Sequence, residues 1–157
     1  MPEHDVEHRP DQIERPDDTS TTTRTAIPVG VPFDLSTQTV GLARSTRAAS
    51  FAARTDPGPA RIDGYTVGAP MVTQDPPHAG EMHPDGDELL YVVSGRFNVC
   101  LELDTGRRDV EVGAGEALVV PRGVWHLITL QEPGQLVHVT PGPGGGYRPL
   151  GGSDTRA

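Results

Sequence analysis

From Tyr65 onward, short runs of β-branched and large apolar residues alternate with turn clusters roughly every ten residues, a rhythm that predicts an all-β sandwich or barrel. The expected strands are Tyr65 to Val72, Glu81 to His83, Glu88 to Val93, Arg96 to Leu103, Arg108 to Val112, Ala117 to Val120, Trp125 to Leu130 and Leu136 to Thr140. Phe97, Val99, Leu101 and Leu103 alternate with Asn98, Cys100 and Glu102, which puts the first set on one strand face and Cys100 on the other. Ser94-Gly95, Asp104-Thr105-Gly106, Gly113-Ala114-Gly115 and Pro121-Arg122-Gly123 are suited to tight turns, so the strands are expected to be joined as mostly antiparallel hairpins. One segment reads differently. Ser45 to Arg54 is Ala-rich, opens on a capping serine and stops before Asp56-Pro57-Gly58, which predicts a short helix.

The 157 residues suffice for one domain with tails. Residues 1–26 are expected to be a disordered acidic tail, because the first 24 carry ten charged side chains against three apolar ones. Pro141 to Gly152 holds nine Gly or Pro residues in twelve, so residues 141–157 are expected to be a Gly/Pro-rich tail. The barrel domain is then 27–140. All 13 basic residues are Arg, which excludes Schiff-base and P-loop lysine chemistry. A net charge of −9 argues against a nucleic-acid surface, and Cys100, the sole cysteine, excludes an intrachain disulfide and a Cys-rich zinc site. No apolar stretch approaches the ~20 residues of a bilayer span, and no secretory leader is legible. The expectation is a cytoplasmic protein acting on a small molecule, without membrane or nucleic-acid partners.

The chemistry concentrates in two places. Glu81 and His83 share a face of one extended segment, and Pro84-Asp85-Gly86-Asp87 could fold Glu88 back beside them. His126 arrives on a separate strand after the Pro121-Arg122-Gly123 turn. Imidazoles and carboxylates converging in this way suit a divalent cation with mixed nitrogen and oxygen ligands. Two carboxylates in one cavity repel each other and are costly to desolvate unless an ion or a proton neutralises one. No Arg lies close in sequence on the same faces to do so. The competing reading is a polar, hydrated barrel mouth.

These residues resemble two motifs of the cupin superfamily. The first, approximately G-x5-H-x-H-x3,4-E-x6-G, is matched by His83, Glu88 and Gly95; the second, G-x5-P-x-G-x2-H-x3-N, by Gly115, Pro121, Gly123 and His126. Three positions depart from the pattern: Asp75 replaces the opening Gly, Glu81 the first His and Leu130 the final Asn. The resemblance covers residues 71–140 and implies a single small cupin of the conserved-barrel type, a double-stranded β-helix or jelly roll. It also implies metal ligation by His83, Glu88 and His126. Glu81 is left open between a fourth ligand and a catalytic acid or base. Such a set favours Fe(II) or Mn(II) and also admits Ni or Zn.

His78 and His138, with Ile128 and Leu130, are the candidates for the wall of a substrate pocket. Tyr91 and Trp125 suit packing or a homodimer interface, and dimers are common in the family resembled. The functional expectation is a metal-dependent enzyme with oxygenase-type or isomerase/cyclase-type chemistry, the alternative being a non-catalytic small-ligand-binding or sensing module.

Overall fold

The computed structural model describes residues 25–52 and 61–151. Among them there is no helix. The strands, in chain order, are β1 (Thr25–Ala26), β2 (Thr39–Ala43), β3 (Ala49–Ala52), β4 (Gly64–Gly68), β5 (Met71–Val72), β6 (Gly80–Met82), β7 (Glu88–Val92), β8 (Arg96–Leu103), β9 (Gly106–Gly113), β10 (Ala117–Val120), β11 (Trp125–Glu132), β12 (Gly134–Gly142) and β13 (Gly146–Arg148). They form two antiparallel sheets. One runs β1-β3-β2-β4-β12-β7-β10 with β5 paired to β12; the other runs β13-β6-β11-β8-β9. The expected all-β fold with two-layered, barrel-like architecture is present.

Leu90 and Val92 of β7, Phe97, Val99 and Leu101 of β8, Val112 of β9, Val120 of β10 and Leu136 of β12 form the buried core. Each such side chain contributes about 1.5–3 kcal/mol by leaving water. The inward row of three strands changes from apolar to polar at a common place. It reads Val92, Leu90, Glu88 along β7; Leu136, His138, Thr140 along β12; and Ile128, His126 along β11. β7 and β12 run antiparallel with Leu90 opposite His138, so their polar ends coincide. The outer face of the larger sheet keeps Leu42, Tyr65, Leu89, Tyr91 and Val119 exposed.

Three expectations need correction. The Ala-rich segment is not helical where it is described: Ala49–Ala52 is β3, paired with β2 through Val40 opposite Phe51 and Leu42 opposite Ala49. Cross-strand pairing overrides the weak helix preference of the alanines. Residues 53 and 54 lie outside the described residues, as does most of the acidic segment, although Thr25 and Ala26 pair with β3. The Gly/Pro-rich segment is not all tail. β12 continues to Gly142, and β13 pairs with β6, Tyr147 standing opposite Glu81. Glycine there permits close approach: a Cβ at Gly146 would stand 3.1 Å from the Trp125 ring. Trp125 is accordingly covered, with the Arg148 guanidinium 4.1 Å from its ring centroid, and does not join Tyr91 on the exposed apolar face.

Candidate metal centre and cavity

β6 and β11 are neighbours, with Glu81 directly opposite His126. Two backbone donors tie the loops that carry the rest. Gly123 N–H donates to the His83 carbonyl at 2.9 Å, and Arg122 N–H donates to the Asp87 carboxylate at 2.8 Å. Gly123 has φ +76°, which favours glycine at this turn and aims the chain into β11. The Pro121-Arg122-Gly123 turn thus clamps the His83–Glu88 loop against the start of the strand bearing His126.

Glu81, His83, Glu88 and His126 each offer one ligand atom within 4.8 Å of all the others. Glu88 Oε2 lies 3.0 Å from His126 Nε2 and 3.3 Å from His83 Nε2. Glu81 stands further off, 3.7 Å from His126 Nε2 and 4.0 Å from His83 Nε2, and its side chain is 18% exposed. The two imidazole Nε2 atoms and Glu88 Oε2 are buried without a hydrogen-bond partner. Buried polar atoms are ordinarily satisfied, so three orphans aimed at one point are what a cation would resolve. Two imidazole nitrogens and one or two carboxylates are a suitable donor set for a divalent transition metal.

Burial alone would raise the Glu88 pKa, but the two imidazoles beside its Oε2 outweigh it and hold the carboxyl well below the usual range. His126 shows the reciprocal effect: burial opposes its charged form, while Glu88 and then Glu81 raise its pKa. Thr140 Oγ1 donates to Glu88 Oε1 at 2.6 Å.

A cavity of about 240 Å³ adjoins the cluster, small against the ~300–1,000 Å³ of drug-sized sites. Val72, Leu90, Ile128 and Leu136 give it an apolar wall. His78 and His138 also line it, and burial lowers the pKa of both. Leu130 does not; it packs against the hydrophobic core. A residue facing inward on β11 need not reach the cavity once the inward row has passed from site to core. Cys100 is buried on the face opposite Phe97 and Val99, where desolvation raises its thiol pKa and keeps it unreactive.

Sequence reasoning missed Arg61. Its NH1 donates to His83 Nδ1 at 2.8 Å and to the Gly144 carbonyl at 3.0 Å, and NH2 lies 3.6 Å from Glu81 Oε2. The guanidinium also stands 4.9 Å from the Tyr147 ring centroid. The cation absent from the strands carrying the carboxylates is supplied by the segment before β4. Only the run of glycines at 144–146, with room for a large group, hinted at it in the sequence. A Cβ at Gly145 would collide with the Arg61 guanidinium.

Residues 71–140 match the family model of the Cupin domain, the segment over which the sequence resembles the cupin superfamily. Among solved structures, a cupin-2 domain containing protein from Shewanella frigidimarina is 24% identical, with a TM-score of 0.42 over 53% of this chain and 76% of that one. Hydroquinone 1,2-dioxygenase in complex with Cd2+ and 4-hydroxybenzonitrile is 18% identical, with a TM-score of 0.42 over 50% of this chain and 58% of that one. A mutant of Bacillus subtilis oxalate decarboxylase is 19% identical, with a TM-score of 0.45 over 53% of this chain and only 23% of that one. No curated protein matches the sequence. No helix among the described residues is long and apolar enough to cross a membrane.

Proposed function

We propose that Glu88, His83 and His126 hold a divalent transition metal, Fe(II) or Mn(II) before Ni or Zn, and that the chain is an enzyme acting on a small organic molecule in the adjoining cavity. The observation that carries this reading is the convergence of three buried, unpartnered ligand atoms beside a mostly apolar cavity. When bound, the ion supplies Lewis acidity and open coordination positions, which serve an oxygenase-type or an isomerase/cyclase-type reaction. The chain's own residues divide the remaining work. Val72, Leu90, Ile128 and Leu136 receive the hydrocarbon part of the substrate and exclude water. Glu81, the more accessible carboxylate, lines the cavity and is placed to take or return a proton at its Oε atoms.

Metal analysis of tag-free protein incubated with Fe(II) or Mn(II) and then desalted tests the reading. One equivalent per chain is expected, with the paired His83→Ala, His126→Ala variant reduced to background. A wild-type chain that takes up no ion and still binds small organic molecules would instead be a non-catalytic module. On loaded protein, oxygen consumption against a substrate panel separates oxygenase from isomerase chemistry.

A further inference from the structure

Arg61 is not one of the proposed metal ligands, yet it is the one cation among the described residues that line the cavity, and its side chain is only 13% exposed. Burying a guanidinium is costly unless a negative partner meets it, and its one such partner, Glu81, forms an ion pair without a hydrogen bond. NH1 meets a ring nitrogen and a carbonyl oxygen, both neutral, while the Glu81 carboxylate stands 3.6 Å from NH2, beyond hydrogen-bond length.

We infer that the cavity binds a small organic monoanion, a carboxylate with an apolar body, whose anionic group is received by Arg61 beside the metal. The inference rests on the metal reading, and two arguments lead from that reading to the anion.

The first is charge. Glu81 and Glu88 carry two negative charges and Arg61 one positive, so even with a protonated His126 the metal-free cavity has no net positive charge to attract an anion. A divalent ion ligated by neutral imidazoles leaves one positive charge, which a monoanion neutralises. His78 and His138 do not change this count near neutral pH, because burial lowers both pKa values.

The second is the lone pair on His83. A guanidinium has no acceptor, so in the Arg61 contact Nδ1 of His83 must be the acceptor. A neutral imidazole has one lone pair. Ligation through the buried Nε2 requires that pair at Nε2 and moves the ring proton to Nδ1. Arg61 NH1 then loses one of its two acceptors and keeps the Gly144 carbonyl. Taking up the ion and freeing an Arg61 donor are therefore the same event, and the freed donor is in a cavity that has just become positive. The apolar wall of Val72, Leu90, Ile128 and Leu136 selects the body of the ligand. A bare inorganic anion would leave that wall wet.

Isothermal titration with benzoate and its uncharged isostere benzamide tests the inference, on Mn(II)-loaded protein whose ion content is measured in the same sample. Benzoate is expected to bind at least tenfold more tightly than benzamide, and not to bind metal-free protein. Arg61→Gln is expected to keep one ion per chain, to lose at least tenfold in benzoate affinity and to leave benzamide unchanged, with Arg61→Lys recovering part of the loss. Equal affinity for the two probes on loaded wild-type protein overturns the anion site and leaves the metal reading standing. So does full benzoate affinity in Arg61→Gln. A chain that takes up no ion overturns both, and the ion measurement identifies that outcome.

Discussion

Thr140 Oγ1 donates to Glu88 Oε1 at 2.6 Å, and that single bond fixes which oxygen of Glu88 faces the two imidazoles. The hydroxyl has one proton, and it is committed to the carboxylate. His138 Nδ1, 2.9 Å from Oγ1, must then donate its own. A chain of donors runs from His138 through Thr140 to Glu88. Partners of this kind orient metal ligands as effectively as the backbone does.

Thr140→Val keeps the shape and removes the donor. The change leaves the buried Oε1 unsatisfied and frees the Glu88 carboxylate to rotate. Metal affinity is expected to fall about 10–100-fold, and the metal-free protein to lose about 1–3 kcal/mol. Competition titration with a chelating dye and urea unfolding measure the two effects. Thr140→Ser should restore most of both, because it restores the hydroxyl.

Glu81 and Glu88 are chemically alike and differently held. Glu88 is buried, hydrogen-bonded by Thr140 and 3.0–3.3 Å from both Nε2 atoms, whereas Glu81 is 3.7–4.0 Å away and shared with Arg61. Glu88→Gln is therefore expected to abolish ion uptake at micromolar metal. Glu81→Gln should still take up the ion, with affinity reduced about tenfold or less, while turnover is lost. Loss of the ion in Glu81→Gln would make Glu81 a ligand, and retained turnover would remove its acid/base role.

How much of this could be read beforehand depends on what held each element in place. β8 and β10 have the expected limits because apolar alternation and flanking turn residues agree there. The four clustered side chains were also legible, since motif spacing and strand period placed them on common faces. β3 was not, because alanines carry no strand signal and only pairing with β2 and β1 fixes it. β13 was hidden for a related reason: its glycine signals flexibility in sequence but here makes room for the Trp125 ring. Arg61 was the least legible of all. It acts on His83 across 22 positions, and no local pattern encodes that contact.

Gly145→Ala probes that contact from the other side. A Cβ there would occupy the space of the Arg61 guanidinium, yet Gly145 is not among the residues with positive φ, so the backbone tolerates the substitution. The obstructing group is the far end of a flexible side chain, which can swing away. Stability should then change by less than about 1 kcal/mol, while the hydrogen bond to His83 is lost. Nitrogen-15 NMR of the histidine rings reads the loss directly. In metal-free protein the His83 Nδ1 signal is expected to move away from its hydrogen-bonded position, with unfolding by urea nearly unchanged. A large stability loss accompanied by an unmoved His83 signal would mean that the backbone yields instead of the arginine.

His138 makes the fold sensitive to acid in a predictable direction. Burial lowers its pKa, and attraction to Glu88 and Glu81 only partly opposes the shift. As pH falls through about 6.5, the unfolded chain's histidine gains a proton that the folded protein does not. The unfolded state is favoured increasingly until the folded pKa is reached, so this group's contribution to stability decreases with acidification, at no more than about 1.4 kcal/mol per pH unit. His126 titrates in the opposite sense in metal-free protein because its pKa is raised. A comparison at one site is therefore needed. The stability difference between wild type and His138→Gln, from urea unfolding of chelator-treated protein at pH 8 to 5, should shift in favour of the variant as pH falls. A difference independent of pH would show that His138 takes up its proton in the folded protein as readily as in the unfolded chain.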